Sequence, residues 1–421
     1  MDRETVEKVL GKIDFPKTLS ILRSLVKIPS YLGQEGEKAD YVSMQMERLG
    51  LEVYEMPLTT GDPWRRRNVI GTLRGKGGGR DLMVCAHLDT HWPKEDQLYP
   101  HEGVVKDGKI YGVGTGDSHG NLAAFFGAID AIMRSDVELR GDLIFAATVD
   151  ELGHKLGAKM IADSGIKADM CIEGDVGHLD EVCIVHTGKV EVEIVTRGQS
   201  QFVIGAHAER TGMRLVNAVA VMNAVINNLQ RMVREEQYFH VRHPLLPGEG
   251  AGFELGPIIG GSVGYGLPTN PAGHTPGAYG LARPPPTWCR LRVGCRYWPG
   301  QTAEEFVNLV RKWAERAKEE HPGAIIEVNP YLDDGNTPFE ISPEAEVVKL
   351  LKRAAKYVIG KEIRNGSCVC SGELPLYQRA GMECAMYGPN YRVGSSDEHI
   401  TIEELMNLTK VYAVAILEAC S

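Results

Sequence analysis

Three short apolar runs, each delivering a histidine or a carboxylate at its end, constrain the fold of this chain more than any other feature. Leu82-Met-Val-Cys-Ala86 leads into His87-Leu-Asp89, Leu143-Ile-Phe-Ala-Ala-Thr-Val149 leads into Asp150-Glu151, and the run from Ala168 through Ile172 leads into Glu173-Gly-Asp175. Runs this short and continuous suit strands buried on both faces. They alternate with helical stretches such as Asn121 to Met133, which is the mark of a mainly parallel sheet with helices on both sides. Sheets of that kind bind ligands outside the carboxyl ends of their strands. The polar residues therefore fall where chemistry is expected, and His87 with Asp117, from Tyr111-Gly-Val-Gly-Thr-Gly-Asp117, reads as the start of a metal site. Asp89 suits the role of holding the imidazole ring, since a ligating histidine usually gives its second nitrogen to a carboxylate or carbonyl. Taken alone, His-x-Asp also fits a strand-end histidine with a chance neighbour; the further carboxylate-ending strands favour the site.

Elsewhere the patterns change. Leu19, Leu22, Leu25 and Val26 have helical spacing within Pro16 to Val26, and a second helix is expected over Glu35 to Arg48 with Gly50 as its stop. Val190 to Val195 alternates at period two, as a half-exposed antiparallel strand does, and marks entry to a second domain. A long helix over Val216 to Val233 follows, then a Gly/Pro-rich stretch from His243 to Pro286 without helical period. Thr302-Ala-Glu-Glu305 reads as a capping box for a helix to about Glu320, Ser342-Pro343 as the cap of the next, and Thr401-Ile-Glu-Glu404 as the cap of the last. The expected fold class is α/β: a catalytic domain with a mainly parallel mixed sheet flanked by helices, in two parts at residues 1–188 and 330–421, plus an inserted α+β lid or dimerisation domain at 189–329.

Composition narrows the function classes. The net charge of -10 argues against nucleic acid or anionic membrane as the main partner. The nine cysteines are an odd number, several inside apolar runs, and read as reduced core residues rather than a disulfide framework, with Cys368-Val-Cys370 as packing or loop residues. The start of the chain has no leader pattern and no long apolar run occurs, so a cytoplasmic location is expected.

In order and setting, the His87-x-Asp89, Asp117, Asp150-Glu151 and Asp175 elements resemble those of the cocatalytic zinc peptidase and deacylase family that includes acetylornithine deacetylase, succinyl-diaminopimelate desuccinylase and glutamate carboxypeptidase. The resemblance extends through Gly205-Ala-His207-Ala, the Pro-Gly-x-Thr-x-Glu-Glu element at Pro299 to Glu305, and the C-terminal segment. It implies that His87 and Asp175 ligate a first metal, that Asp117 is the bridging carboxylate, and that a Glu-Glu pair supplies a general base and a ligand of a second metal. Here that pair is broken. One alignment makes Glu151 the base with Leu152 in the second glutamate's place; the other makes Asp150 the base and Glu151 the ligand.

A second departure falls on the same metal. The family's C-terminal ligand histidine stands three residues before an Asn/Asp-Glu pair, and here Gly394 precedes Asp397-Glu398. The resemblance therefore implies one divalent transition metal per chain, zinc or manganese, rather than two, with His399 or Asp150 as the residues able to restore a second site. His119 stands where the family often has lysine. The resemblance further implies that His207, with Asn217-Ala218 downstream, reaches the partner subunit's site to stabilise an oxyanion, making the active unit a homodimer or larger homo-oligomer. Arg296 aligns with a family arginine that contacts a substrate carboxylate, although Gly294 replaces its usual aspartate, and Arg283 stands in the place of an asparagine.

The expected reaction is hydrolysis of a carbon–nitrogen bond in a small carboxylate-bearing amide, an N-acyl amino acid or dipeptide. The altered second site opens an alternative: replacement of the amine of a nitro-substituted aromatic acid by hydroxyl, as in the family's 5-nitroanthranilate aminohydrolase branch, with Tyr265, Trp288 and Trp298 as possible stacking surface. A metabolite-binding relative without catalysis is a third reading, opposed by the retention of a general base.

Overall fold

The computed structural model describes residues 2–198, 216–246, 248, 250–261, 286–332, 335–390 and 392–421. They form two compact units, Met1–His186 with Gly335–Ser421, and Thr187–Asp334.

The larger unit is built on a nine-stranded mixed sheet. Its order is Glu52–Pro57, Arg67–Leu73, Leu143–Thr148, Leu82–His87, Met170–Glu173, Glu383–Met386, Glu181–His186 and Phe339–Glu340, with Arg364–Cys368 also pairing Glu181–His186. The four central strands, 143–148, 82–87, 170–173 and 383–386, are mutually parallel. The strands at 52–57 and 67–73 add antiparallel on one side, and 181–186 joins antiparallel on the other. Every residue of the 82–87, 143–148 and 170–173 strands is buried, as their unbroken apolar runs require.

Helices cover the sheet. His119–Met133 is apolar on all sides and buried almost throughout, because it lies between the sheet and the helices Phe15–Lys27 and Ile402–Ala419. Phe125 from this helix stacks on Tyr412 with ring centroids 4.0 Å apart. The Tyr412 hydroxyl in turn donates to the Tyr387 carbonyl at 2.6 Å, which ties the C-terminal helix to the end of the 383–386 strand.

The smaller unit has a four-stranded antiparallel sheet in the order Gly252–Gly261, Trp288–Tyr297, Gly188–Arg197, Ile325–Tyr331. Its alternating inward side chains, Val190, Val192, Ile194, Leu291 and Val293, pack with the helices Ala218–Glu235 and Ala303–Glu315. Asn217 caps the first helix by accepting from Val219 and Ala220 N–H groups.

Both Thr302 and Thr401 form capping boxes, with Glu305 and Glu404 reaching back to their backbone N–H groups. Two local expectations fail. Ser342 accepts from the Glu344 N–H at 3.1 Å in a turn, and the helix begins at Glu346 after Ala345; a short hydroxyl satisfies its own neighbourhood before a helix can claim it. The helix expected to reach Glu320 breaks after Glu315, and Ala317–Glu320 is a separate turn. The cysteine reading is corrected at one place: Cys368 and Cys370 are joined in a disulfide, since the end of the 364–368 strand turns back within two residues. The other seven are free and buried. Among the described residues no helix is long and apolar enough to cross a membrane.

The end of the 383–386 strand passes so close to the 170–175 segment that Gly388 has no room for a side chain: a Cβ there would stand 1.6 Å from the Asp175 carbonyl oxygen. Gly388→Ala is expected to destabilise the protein by about 1–3 kcal/mol, as overpacking does, measured by denaturant unfolding. An unchanged midpoint would mean the two segments separate easily.

Candidate metal centre

The parallel strands end side by side, and their carboxyl ends carry the site. His87 is the last residue of its strand and pairs in register with Thr148, two residues before Asp150; Cys85 pairs with Glu173, two residues before Asp175. Asp117 arrives from the loop ahead of the His119–Met133 helix, and its peptide bond to Ser118 is cis. His87 Nε2 lies 2.7 Å from Asp117 Oδ1. The ligand atoms of His87, Asp117 and Asp175 all lie within 4.8 Å of one another, and all three residues are buried. Among the described residues this is the one group with metal-ligand chemistry and spacing.

The charges show what such a group needs. Burial pushes the Asp175 carboxyl well above the usual carboxylate range, and the Asp117 charge beside it pushes the same way. Burial opposes protonation of His87, yet Asp117 and Asp89 outweigh it and raise the ring well above its ordinary value. Burial also opposes ionisation of Asp117, which His87 nonetheless holds below the usual range. Two carboxylates and an imidazole forced together out of water call for a cation, and one nitrogen and two oxygens suit a divalent transition metal with a position left open. The donor set fits.

Asp89 links the ligand group to the turn after the 143–148 strand. Its Oδ1 stands 3.5 Å from His87 Nδ1, which lies 2.9 Å from the Asp89 carbonyl oxygen. The same carboxylate accepts the backbone N–H groups of Glu151 at 3.1 Å and Leu152 at 2.8 Å. One buried side chain thus fixes both the ligand ring and the turn that carries Glu151. Asp150, at a positive φ of 69°, turns the other way: its Oδ1 accepts from Arg66 at 2.6 Å, and Arg66 also holds Glu35.

The remaining sequence candidates are scattered. His119 is buried against Lys38, whose Nζ is 2.8 Å from its Nε2, outside the metal-ligand group. His399 is also outside that group; its Nδ1 lies 2.5 Å from the Asp397 carbonyl oxygen and its ring tilts against Tyr111. Arg296 lies on the 288–297 strand of the smaller unit, opposite Gly252 and Lys189. His207, Arg283 and Tyr265 lie outside the described residues. Trp298 is a packing residue, buried, with its Nε1 donating to the Val241 carbonyl at 2.8 Å. Trp288 begins its strand beneath the Arg290 guanidinium.

Sequence reasoning missed several participants. Lys155 is buried and donates to Glu151 Oε1 at 2.6 Å and to the Glu151 carbonyl at 2.8 Å. Glu173 and Glu373 are buried beside them; the Glu373 N–H donates to Glu173 Oε1 at 2.7 Å. Burial raises Glu173 to about 7 and, with the Glu173 charge adding, Glu373 to about 8. Glu398 accepts from the Gly114 N–H at 2.8 Å, and burial raises it to about 7. The spacing of Glu151 and Lys155, four apart, was a usable signal; nothing local pointed to Glu373.

The sequence profile of Peptidase family M20/M25/M40 matches residues 83–418. The chain is 25% identical to an N-formyl-4-amino-5-aminomethyl-2-methylpyrimidine deformylase of Halalkalibacterium halodurans, with 99% of this chain and 97% of the relative covered. It is 27% identical to an acetylornithine deacetylase of Photorhabdus laumondii, covering 82% and 85%. A dipeptidase structure from Saccharomyces cerevisiae superposes with a TM-score of 0.76 at 16% identity, covering 99% of this chain and 98% of that one.

Two outcomes follow from the geometry. Asp89→Asn should weaken metal affinity about 10–100-fold, the usual cost of losing a ligand's supporting carboxylate; a calorimetric titration with Mn(II) that shows no change would deny Asp89 that role. Glu398 is raised from 4.5 to about 7, so its ionisation costs stability in the folded state. In chelator-treated protein that stability is fully present below about pH 4.5 and is lost as pH rises through about 7, by up to about 3 kcal/mol. Glu398→Gln should flatten this part of the unfolding profile, and an unaltered slope would place the titration elsewhere.

Proposed function

Since the chain belongs to Peptidase family M20/M25/M40, we propose that it hydrolyses the amide bond of a small carboxylate-bearing substrate, an N-acyl amino acid or dipeptide, with Glu151 as general base. That it is a hydrolase of carbon–nitrogen bonds, acting on amides, follows from the family and from deformylase and deacetylase relatives. One observation supports Glu151 as the base: the Asp89 carboxylate couples the His87 ring to the backbone N–H of Glu151. Asp150 pairs with Arg66 and Glu151 with Lys155, and the Asp89 link to the Glu151 backbone favours Glu151 as the base.

A divalent ion held by His87, Asp117 and Asp175, zinc or manganese, would supply Lewis acidity, making a water acidic and polarising the carbonyl. Glu151 accepts the water's proton and later delivers it to the leaving nitrogen; this exchange contributes about two to four orders of magnitude in rate. Asp89 keeps the His87 ring in one orientation throughout. Arg296 is the proposed contact for the substrate carboxylate, by a bidentate guanidinium, with Arg283 assisting. His207 is the proposed oxyanion donor, contributed across a homodimer. One metal per chain is the preferred stoichiometry, because His399 and Asp150 lie outside the metal-ligand group found among the described residues. That single site also keeps the second reading open, displacement of the amine of a nitro-substituted aromatic acid, since an activated ring needs less help than an amide.

Glu151→Gln should lower kcat by a factor of about 10²–10⁴ while metal content stays constant, assayed with N-formyl, N-acetyl and N-succinyl amino acids, dipeptides and nitroanthranilates. Turnover of the last group alone would replace the amide reading; full activity in the variant would remove Glu151 as the base.

A further inference from the structure

Three acidic side chains, Glu151, Glu173 and Glu373, are buried together beside the metal-ligand group. Glu151, Glu173 and Glu373 are each at most 4% exposed. Glu173 Oε2 and Glu373 Oε1 are buried without a hydrogen-bond partner among the described residues. Buried carboxylates left in that state either take up protons or hold a cation. The packing leaves little slack: a Cβ on Gly372 would stand 2.6 Å from Glu173 Oε2, so the chain preceding Glu373 is pressed against this carboxylate.

The cation on hand is Lys155. It is 2% exposed, and its ammonium donates to Glu151 Oε1 at 2.6 Å. Glu151, Glu373 and Glu173 are the charges that act on it, in that order of strength. Its backbone is left-handed, φ 55°, a conformation that a side chain of this length adopts only under constraint from its surroundings. The constraint here comes partly from Asp150, whose carbonyl accepts the Lys155 N–H at 2.8 Å. Arg66 anchors Asp150, Asp150 anchors the turn, and the turn delivers the ammonium to Glu151.

We propose that Lys155 is a built-in cation that occupies the charge position a second metal ion would otherwise fill, so that the centre is mononuclear by construction. The proposal rests on the reading of Glu151 as the base. With Oε1 held by the lysine, Glu151 presents its other oxygen for proton transfer. Lys155 is thus a positioning residue, acting through Glu151 and touching neither metal nor substrate.

The test is Co(II) stoichiometry, by elemental analysis of dialysed full-length protein and by visible absorption during titration. Wild-type protein and Lys155→Arg should hold one equivalent. Lys155→Ala, and Lys155→Met as the variant that fills the space without charge, should hold two, because Glu151, Glu173 and Glu373 then lack their cation. Adding Glu151→Gln to Lys155→Ala should return the count to one. Two equivalents in wild-type protein would overturn the proposal. So would one equivalent in both neutral variants, or none in either, which would make Lys155 a support of the ligand set instead. Failure of the base assignment is separately visible, as retained turnover in Glu151→Gln with an unchanged count.

Discussion

Mutual repulsion among buried carboxylates gathered where three parallel strands end is the constraint around which this structure is organised. Asp89, Asp117, Glu151, Asp175, Glu173 and Glu373 are all buried. Parallel strands point their carboxyl ends the same way, so strands that lead into acids gather those acids at one rim. Isolated charges in such a place cost far more than a fold's net stability, and the group persists only when cations and hydrogen bonds meet it. The structure meets it by three different means. Asp89 is satisfied by two backbone N–H groups and an imidazole, Glu151 by an ammonium, and the trio of His87, Asp117 and Asp175 by whatever divalent ion the site takes up.

This division explains why the turn after the 143–148 strand is shaped as it is. Two adjacent carboxylates, Asp150 and Glu151, have to face different partners. A positive φ at Asp150 reverses the chain so that its carboxylate meets Arg66 and its N–H meets Glu35 on one side while Glu151 meets Lys155 on the other. Strain of this sort costs about 1–3 kcal/mol and survives where surrounding bonds over-determine it. Here the bonds are the Arg66 ion pair, the Lys155 N–H on the Asp150 carbonyl, and the His154 N–H on its carboxylate at 2.9 Å.

The sequence made the frame legible because the frame is local. Apolar runs at 82–86, 143–149 and 168–172 state their own burial, period-two alternation at 190–195 states an antiparallel half-exposed strand, and the Thr-x-x-Glu boxes at Thr302 and Thr401 state helix starts. His87, Asp117 and Asp175 were legible for a related reason: His87 and Asp175 sit at or just beyond strands whose ends were visible, and Asp117 just ahead of a visible helix. The parts that escaped depend on long-range approach or on turn geometry. Glu373 reaches Glu173 across 200 residues of chain, and only the pairing of the 383–386 strand with 170–173 brings their segments together. Lys155 was visible as a residue four beyond Glu151, yet that spacing has the same meaning on any solvated helix; the left-handed turn converts it into a buried ion pair. The Cys368–Cys370 pairing depended on how the chain leaves its strand, which two cysteines separated by valine do not specify.

A hydrolase that keeps one metal and a lysine differs chemically from one that holds two metals. An ammonium carries one charge and cannot act as a Lewis acid, so it can neutralise a carboxylate but cannot draw a carbonyl oxygen toward itself as an open coordination site does. The work of activating water and stabilising the developing oxyanion then falls on the His87 side of the centre and on donors such as the proposed His207. That arrangement lowers the total positive charge facing the substrate. If the centre is mononuclear as proposed, a larger share of the barrier has to be met by the His87 side of the site and by the substrate's own electrophilicity.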